Sequence, residues 1–160
     1  MPVIPDIRVV PVESDWHASL IALRMRPGQE DFVSPVARTL ADALQRPDSR
    51  PMAVFAGQVP IGFYRTEARV RTLSEPAVGL RSFLLDADWQ GRGLGQIAME
   101  AAIADAARYY PAARLLALTV NVRNTTALRL YLRAGFVDTG ELYMGGRSGP
   151  QHLLVRKLRD

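Results

Sequence analysis

The chain contains no cysteine. A disulfide framework, a thiolate zinc site and a cysteine nucleophile are all excluded at once. His17 and His152 are the only histidines, too few for a histidine-rich metal cluster, so no metal is expected. No apolar run approaches the ~18–20 residues of a membrane span. The stretch Met1-Pro2-Val3-Ile4-Pro5-Asp6 lacks a basic segment followed by an apolar core, so it does not read as a signal peptide. The expectation is a soluble cytoplasmic protein. Lysine is reduced to Lys157, which leaves arginine to carry nearly all of the positive charge.

What is present is a globular composition: 160 residues, 48% hydrophobic and 22% charged. That length suits a single domain over residues 1–160, burying roughly two-thirds of the surface its unfolded chain exposes. Twenty Lys+Arg against sixteen Asp+Glu give a net charge of +4. Residues 1–80 hold nine basic and nine acidic side chains, and residues 81–160 hold eleven and seven. The excess therefore lies in the second half, where an anionic partner would bind, although chain-wide arginine usage explains it equally well. There is no basic cluster interleaved with aromatics, so nucleic acid is not expected as a partner.

The pattern of apolar residues gives the order β α α β β β α β α β β. Ile7 to Val12 reads as a strand, and Ser14 or Asp15 caps a short helix through Trp16, Leu20 and Leu23. Ser34-Pro35 marks a second helix, a capping hydroxyl followed by proline at the first helical position, with Val36, Leu40, Ala43 and Leu44 on one side. Met52–Ala56, Gly57-Gln58 and Val59–Tyr64 form a hairpin whose Pro60 belongs at an edge or turn. Val78 to Leu85 is a β-rich run, and an alanine-rich helix runs from Leu94 to Tyr110-Pro111. Leu115–Val120 is a buried strand, Thr125–Arg133 a helix closed by Gly135, and Val137–Met144 and His152–Leu158 two closing strands. This is an α/β chain, a mixed sheet with helices on its faces.

Two constellations carry chemistry. Gln90-Gly91-Arg92-Gly93-Leu94-Gly95 follows a strand and opens a helix. Glycines let the backbone turn tightly, and the successive amides plus the positive helix end suit a phosphate. Arg92 adds a full charge. The spacing is neither G-x-x-x-x-G-K-[ST] nor G-x-G-x-x-G, so it is no P-loop and a poor dinucleotide fingerprint. The second constellation, Asn124 to Phe136, spans one helix. Asn124 and Tyr131 are seven residues apart, which is about two turns and one helix face.

Together these residues resemble the GNAT superfamily of acyl-CoA-dependent N-acyltransferases. Gln90, Gly93 and Gly95 meet its Q/R-x-x-G-x-G/A signature; Asn124, Ala127, Leu130, Tyr131, Gly135 and Phe136 meet N-x-x-A-x-x-L/F-Y-x-x-x-G-F. The resemblance implies a mostly antiparallel sheet splayed between two strands. It implies that the turn from Gly91 to Gly95, with Gln90, Arg92 and Leu94, holds the pyrophosphate of coenzyme A. The backbone of Phe83 and Leu85 pairs with the pantetheine arm, Asn124 hydrogen-bonds that arm, and Tyr131 sits beside the sulfur. Ala87 stands where many members have proline.

On that reading an amine attacks the thioester directly, and Tyr131, with a phenol pKa near 10, protonates the departing thiolate as general acid. A strand amide near Leu85 stabilises the oxyanion. Many members place a glutamate on the central strand; Val78 to Leu85 has none. Glu67, Glu75, Asp86, Glu141 and His152 are the alternatives, and no base is assigned. Gly28 to Pro35 looks like a segment of the bacterial diamine and spermidine acetyltransferases, which makes Glu30 and Asp31 candidate contacts for a cationic amine. Trp16, Phe32 and Trp89 line the pocket or fill the core. The expected activity is acetyl transfer from acetyl-CoA to a small primary amine, polyamines first, with a homodimer left open. A protein or peptide amino terminus is the alternative acceptor, and a non-catalytic acyl-CoA-binding module the alternative function.

Overall fold

The structure, a computed structural model, describes residues 5–68, 70 and 73–160. Residues 1–4, part of the stretch read as carrying no signal peptide, lie outside the described residues, as do Arg69, Arg71 and Thr72. The chain runs β1 (Ile7–Pro11), α1 (His17–Ile21), α2 (Val36–Gln45), β2 (Ser49–Ala56), β3 (Val59–Glu67), β4 (Ala77–Leu85), α3 (Leu94–Tyr109), β5 (Leu115–Asn121), α4 (Thr125–Arg133), β6 (Val137–Tyr143) and β7 (Gln151–Lys157). Short 3₁₀ turns at Ser14–Trp16, Gln29–Asp31 and Ala87–Trp89 precede α1, α2 and the glycine turn.

The strands form one seven-stranded sheet in the order β1-β2-β3-β4-β5-β7-β6. Every neighbouring pair is antiparallel except β4 and β5. Both sheet faces are covered, which is why β2 is buried without a break from Met52 to Ala56. Its side chains alternate between two cores. Met52, Val54 and Ala56 join Leu94, Ala98, Met99 and Ala102 of α3, together with Tyr131 of α4. Ala53 and Phe55 join Leu20 of α1, Val36 and Leu40 of α2, and Leu84. Each large side chain so buried contributes roughly 1.5–3 kcal/mol.

Some local expectations are corrected. No side chain caps α1 or α2: Pro35 itself takes the cap position of α2 in an extended conformation, and its carbonyl accepts from the amides of Arg38 and Thr39. Proline presets that backbone geometry, so the Ser34 hydroxyl is not needed there. The first helix is shorter than the apolar pattern implied, because Ser14–Trp16 is a tighter turn. Pro60 is the second residue of β3, just after the Gly57-Gln58 turn; it stands opposite Phe55 beside a register shift and outside the part of β3 that pairs with β4, which begins at Gly62, in keeping with the expected edge or turn position.

Two irregularities in the middle of the sheet position the site. On β4 the register jumps from Arg81 opposite Arg65 to Leu84 opposite Phe63, so Ser82 and Phe83 together face Tyr64. Ser82 adopts a positive φ of 61° to make this bulge. The parallel pairing of β4 with β5 lasts only from Ala77–Leu115 to Gly79–Ala117. Beyond it the two strands diverge.

Candidate active site

The divergence of β4 and β5 opens a wedge, and two cavities meet in it. One, of about 640 Å³, is walled by Gly79–Phe83 of β4, by residues 117–121 of β5, and by the loop before β7. The other, of about 430 Å³, is walled by Phe83–Leu85, the glycine turn and α4. Phe32, Val33, Phe83, Asn124 and Tyr131 belong to both walls. The floor of one cavity is therefore the ceiling of the other.

The smaller cavity has the donors an anion needs. Gly91 and Gly93 have φ of 77° and 76°, in the left-handed region where glycine is preferred, and Gly93 caps α3. Gly95 answers a different need. A Cβ there would lie 2.8 Å from Leu130 Cδ1, so its absence lets α3 and α4 approach closely. Gly91, Gly93 and Gly95 all line the cavity. The buried Leu94 side chain turns into the core, which leaves only its backbone for a ligand.

The arginines differ from the sequence reading. Arg92 lays its guanidinium 5.0 Å from the centre of the Trp89 ring and is not on the cavity wall. Arg26, Arg129 and Arg133 are on the wall, and none pairs with a carboxylate among the described residues. Arg26 was not legible in the sequence; it arrives from the loop after α1, and its Nη2 donates to the Gln90 carbonyl at 3.3 Å. Gln90 braces the turn. Its Nε2 donates to the Leu85 carbonyl at 2.8 Å and to Gln29 Oε1 at 3.0 Å, while Gln29 Nε2 donates back to Gln90 Oε1 at 3.0 Å.

Asn124 caps α4: its Oδ1 accepts from the Ala127 amide at 3.3 Å. The side-chain amide NH2 therefore remains as donor toward either cavity. Two turns along, Tyr131 is buried against Phe136, whose ring centre is 5.9 Å away. Burial pushes its phenol up to about 12, because the anion is poorly solvated there. It is protonated throughout the neutral range.

Of the alternatives for a base, Glu67 alone lines a cavity, the larger one. Arg65 Nη2 and Arg81 Nη1 both donate to its Oε1, at 2.7 and 2.9 Å. Asp86 caps a turn and accepts from the Arg24 amide at 2.8 Å; His152 Nδ1 lies 3.3 Å from Asp138 Oδ2; Glu75 and Glu141 are exposed. Asp31 is on the larger cavity's wall, whereas Glu30 is not, its Oε2 accepting from the Gly28 amide at 3.0 Å. Arg147 Nη2 donates to the Glu30 carbonyl at 3.0 Å and the Ser148 hydroxyl donates to that of Asp31, so the loop before β7 roofs this cavity. Phe32 lines both cavities, Trp16 packs edge-on against Phe55 in the core, and Trp89 carries Arg92.

Comparison with known proteins identifies the family and the fold. The family profile described as the acetyltransferase (GNAT) family matches residues 17–136. The uncharacterized N-acetyltransferase YbbJ of Bacillus subtilis is 31% identical over 119 residues, covering 71% of this chain and 74% of that protein. The spermine/spermidine N(1)-acetyltransferase of the same bacterium is 27% identical over 161 residues, covering 96% and 99%. Among solved structures, the aminoglycoside N(6')-acetyltransferase of Legionella pneumophila superposes with a TM-score of 0.77 at 15% identity, over 95% of this chain and 92% of that one. Spermidine N-acetyltransferase of Vibrio cholerae, in complex with CoA and spermine, superposes at 0.72 and 17% identity, over 95% of each chain. The chain belongs to the GNAT family and is an N-acetyltransferase that takes its acyl group from acetyl-CoA. Among the described residues no helix is long and apolar enough to cross a membrane, and no group of His, Asp and Glu is placed to hold a metal ion.

Proposed function

We propose that the protein acetylates a small primary amine by direct attack within a ternary complex, with acetyl-CoA in the smaller cavity and the amine in the larger. The observation that carries this reading is the shared wall, because it brings two separate binding spaces together at one tyrosine. Acetyl-CoA supplies the activated acetyl thioester. The amides of Gly91–Gly95 hold its pyrophosphate, Arg26, Arg129 and Arg133 answer its charge, and the Asn124 side-chain amide, the backbone of Phe83 and the amide of Leu85, whose carbonyl is taken by Gln90, receive its arm. Arg92 and Gln90 contribute from behind, one by stacking on Trp89 and the other by fixing the strand end to the turn.

The amine nitrogen forms its bond to the acetyl carbon as the carbon–sulfur bond breaks. The Tyr131 hydroxyl donates its proton to the departing sulfur, the nitrogen's surplus proton leaves to water in the open larger cavity, and the tyrosinate regains one proton from that water, so that none is released overall. A phenol near 12 is a weak acid for a thiolate in water. Inside the wedge the same desolvation raises the thiol's affinity for a proton, so the mismatch narrows. The bulge at Ser82–Phe83 leaves strand backbone free to face the developing oxyanion.

The names of the curated relatives make spermine and spermidine natural first acceptors, and Asp31 is the wall carboxylate suited to an ammonium. Thermal melting with acetyl-CoA, NAD and ATP, followed by thiol release over diamines, amino acids and peptides, tests the proposal. A rise in Tm specific to acetyl-CoA and acceptor-dependent release are expected. Equal shifts with all three nucleotides overturn the cofactor placement. Release driven by peptide amino termini alone moves the acceptor to that class, and a specific shift without release from any acceptor makes the protein a binding module.

A further inference from the structure

We propose that the acceptor is a primary amine that also carries a carboxylate, of the amino-acid or short-peptide class, rather than a polycation. This rests on the acetyl-transfer reading and specifies its substrate. The observation is the charge on the larger cavity's wall. Three arginines line it from three separate elements: Arg38 from α2, Arg81 from β4 and Arg147 from the loop before β7. Two carboxylates, Asp31 and Glu67, stand against them.

The carboxylates are not equivalent. Glu67 is already held by Arg81 and, from behind the wall, by the buried Arg65. A carboxylate bridged by two guanidiniums has little left to offer a cation. Asp31 is the one acidic wall group outside any ion pair among the described residues. On the basic side, Arg38 pairs with no carboxylate among the described residues, and there Arg147 is fixed only through the neutral carbonyl of Glu30, which leaves its charge uncompensated.

The cavity therefore offers one free acidic group and two free guanidiniums. That set matches a molecule with one ammonium and one carboxylate. The guanidinium fork binds a carboxylate through two parallel hydrogen bonds, and Asp31 accepts from the ammonium before it loses its proton. A polyamine brings several positive charges and no anion, so with one at Asp31 the others share the cavity with Arg38 and Arg147, where like charges repel. Both arginines are solvent-exposed, so their effect weakens as salt rises.

The test compares kcat/KM, by thiol release from acetyl-CoA, for matched acceptors: an α-amino acid with its amide, an ω-amino acid with the alkylamine of equal length, and spermidine. We expect the carboxylate-bearing member of at least one pair to be preferred by about tenfold at low salt, the worth of one charged hydrogen bond. Arg38→Gln and Arg147→Gln should each shrink that preference several-fold, with Arg38→Lys keeping part of it. A preference for spermidine, or equal use of acid and uncharged partner in both pairs, overturns the inference and leaves acetyl transfer standing. No release with any acceptor overturns both.

Discussion

Gln29 and Gln90 exchange side-chain amides, each donating its Nε2 to the other's Oε1 at 3.0 Å. This reciprocal pair ties the loop after α1 to the glycine turn across more than a third of the chain. It also holds Arg26 over the turn, since Arg26 Nη2 reaches the Gln90 carbonyl. Gln90→Ala removes both the clasp and the bond to Leu85. We expect KM for acetyl-CoA to rise several-fold with a smaller change in kcat, and Tm to fall by a few degrees, the worth of about 1 kcal/mol. Steady-state kinetics and thermal melting check it.

Arg26, Arg129 and Arg133 line the smaller cavity without carboxylate partners among the described residues, so their charge is available to phosphates. Arg26→Ala or Arg129→Ala should weaken coenzyme A binding about five- to tenfold at low salt, and less at 0.5 M salt. Arg92→Ala should cost less than either, because its guanidinium is spent on Trp89. Calorimetric titration of coenzyme A ranks the three.

Tyr131→Phe tests the proton donor. If the hydroxyl protonates the leaving sulfur, kcat falls by about 10²-fold or more while coenzyme A affinity changes little. The pH dependence has a definite sign. The folded protein holds this proton up to about pH 12, whereas an unfolded tyrosine releases it near 10. The native state therefore binds more protons between those values, and its stability drops as pH rises through them. Urea unfolding at pH 9 and 11 should show a smaller drop for Tyr131→Phe than for the parent protein.

Arg65 is buried and bonds the Thr39 carbonyl at 3.0 Å, while contacting Asp42 and Glu67, both at 2.7 Å. Arg65→Met should destabilise the fold by about 3 kcal/mol, because two acidic partners and a carbonyl lose their donor. The hydrogen bond from Arg65 holds the Asp42 carboxyl below its usual value. A lowered folded value stabilises the protein above the unfolded pKa near 4, and that contribution is lost as pH falls below it. Asp42→Asn should flatten the acid side of the Tm profile.

Local patterns were legible in the sequence where local chemistry dictates the outcome. The strand–turn–helix around Gly91 and Gly93 needs left-handed glycine conformations, and the helix Thr125–Arg133 follows from its apolar spacing, although the capping role of Asn124 at its start was not read from the sequence. The wall shared by the two cavities contains Asn124 and Tyr131 of the second motif, whereas the glycine turn lines the smaller cavity alone. What escaped is long-range. Arg26, Gln29 and Gln90 meet across distant loops, and the Arg147–Glu30 bond spans 117 positions. The bulge at Ser82 has no compositional sign either, since serine is an ordinary strand-surface residue and nothing local calls for its positive φ. The placement of Arg92 beside the Trp89 ring and off the cavity wall also escaped, because a charge in a phosphate turn reads as a ligand contact when its neighbour's position is not known.

The short parallel pairing of β4 and β5 gives this sheet an edge in its interior as well as two at its rims. Past Gly79 and Ala117 the two strands turn unpaired backbone toward each other across the wedge. A rim edge can recruit another chain's strand, which is a route to aggregation. An interior edge admits only something as slender as a single extended arm bearing amides. With the arm of acetyl-CoA placed along this edge as proposed, those amides of residues 80–85 and 118–121 that face the wedge, and not the ones turned to β3 or β7, should exchange hydrogen more slowly when acetyl-CoA is bound.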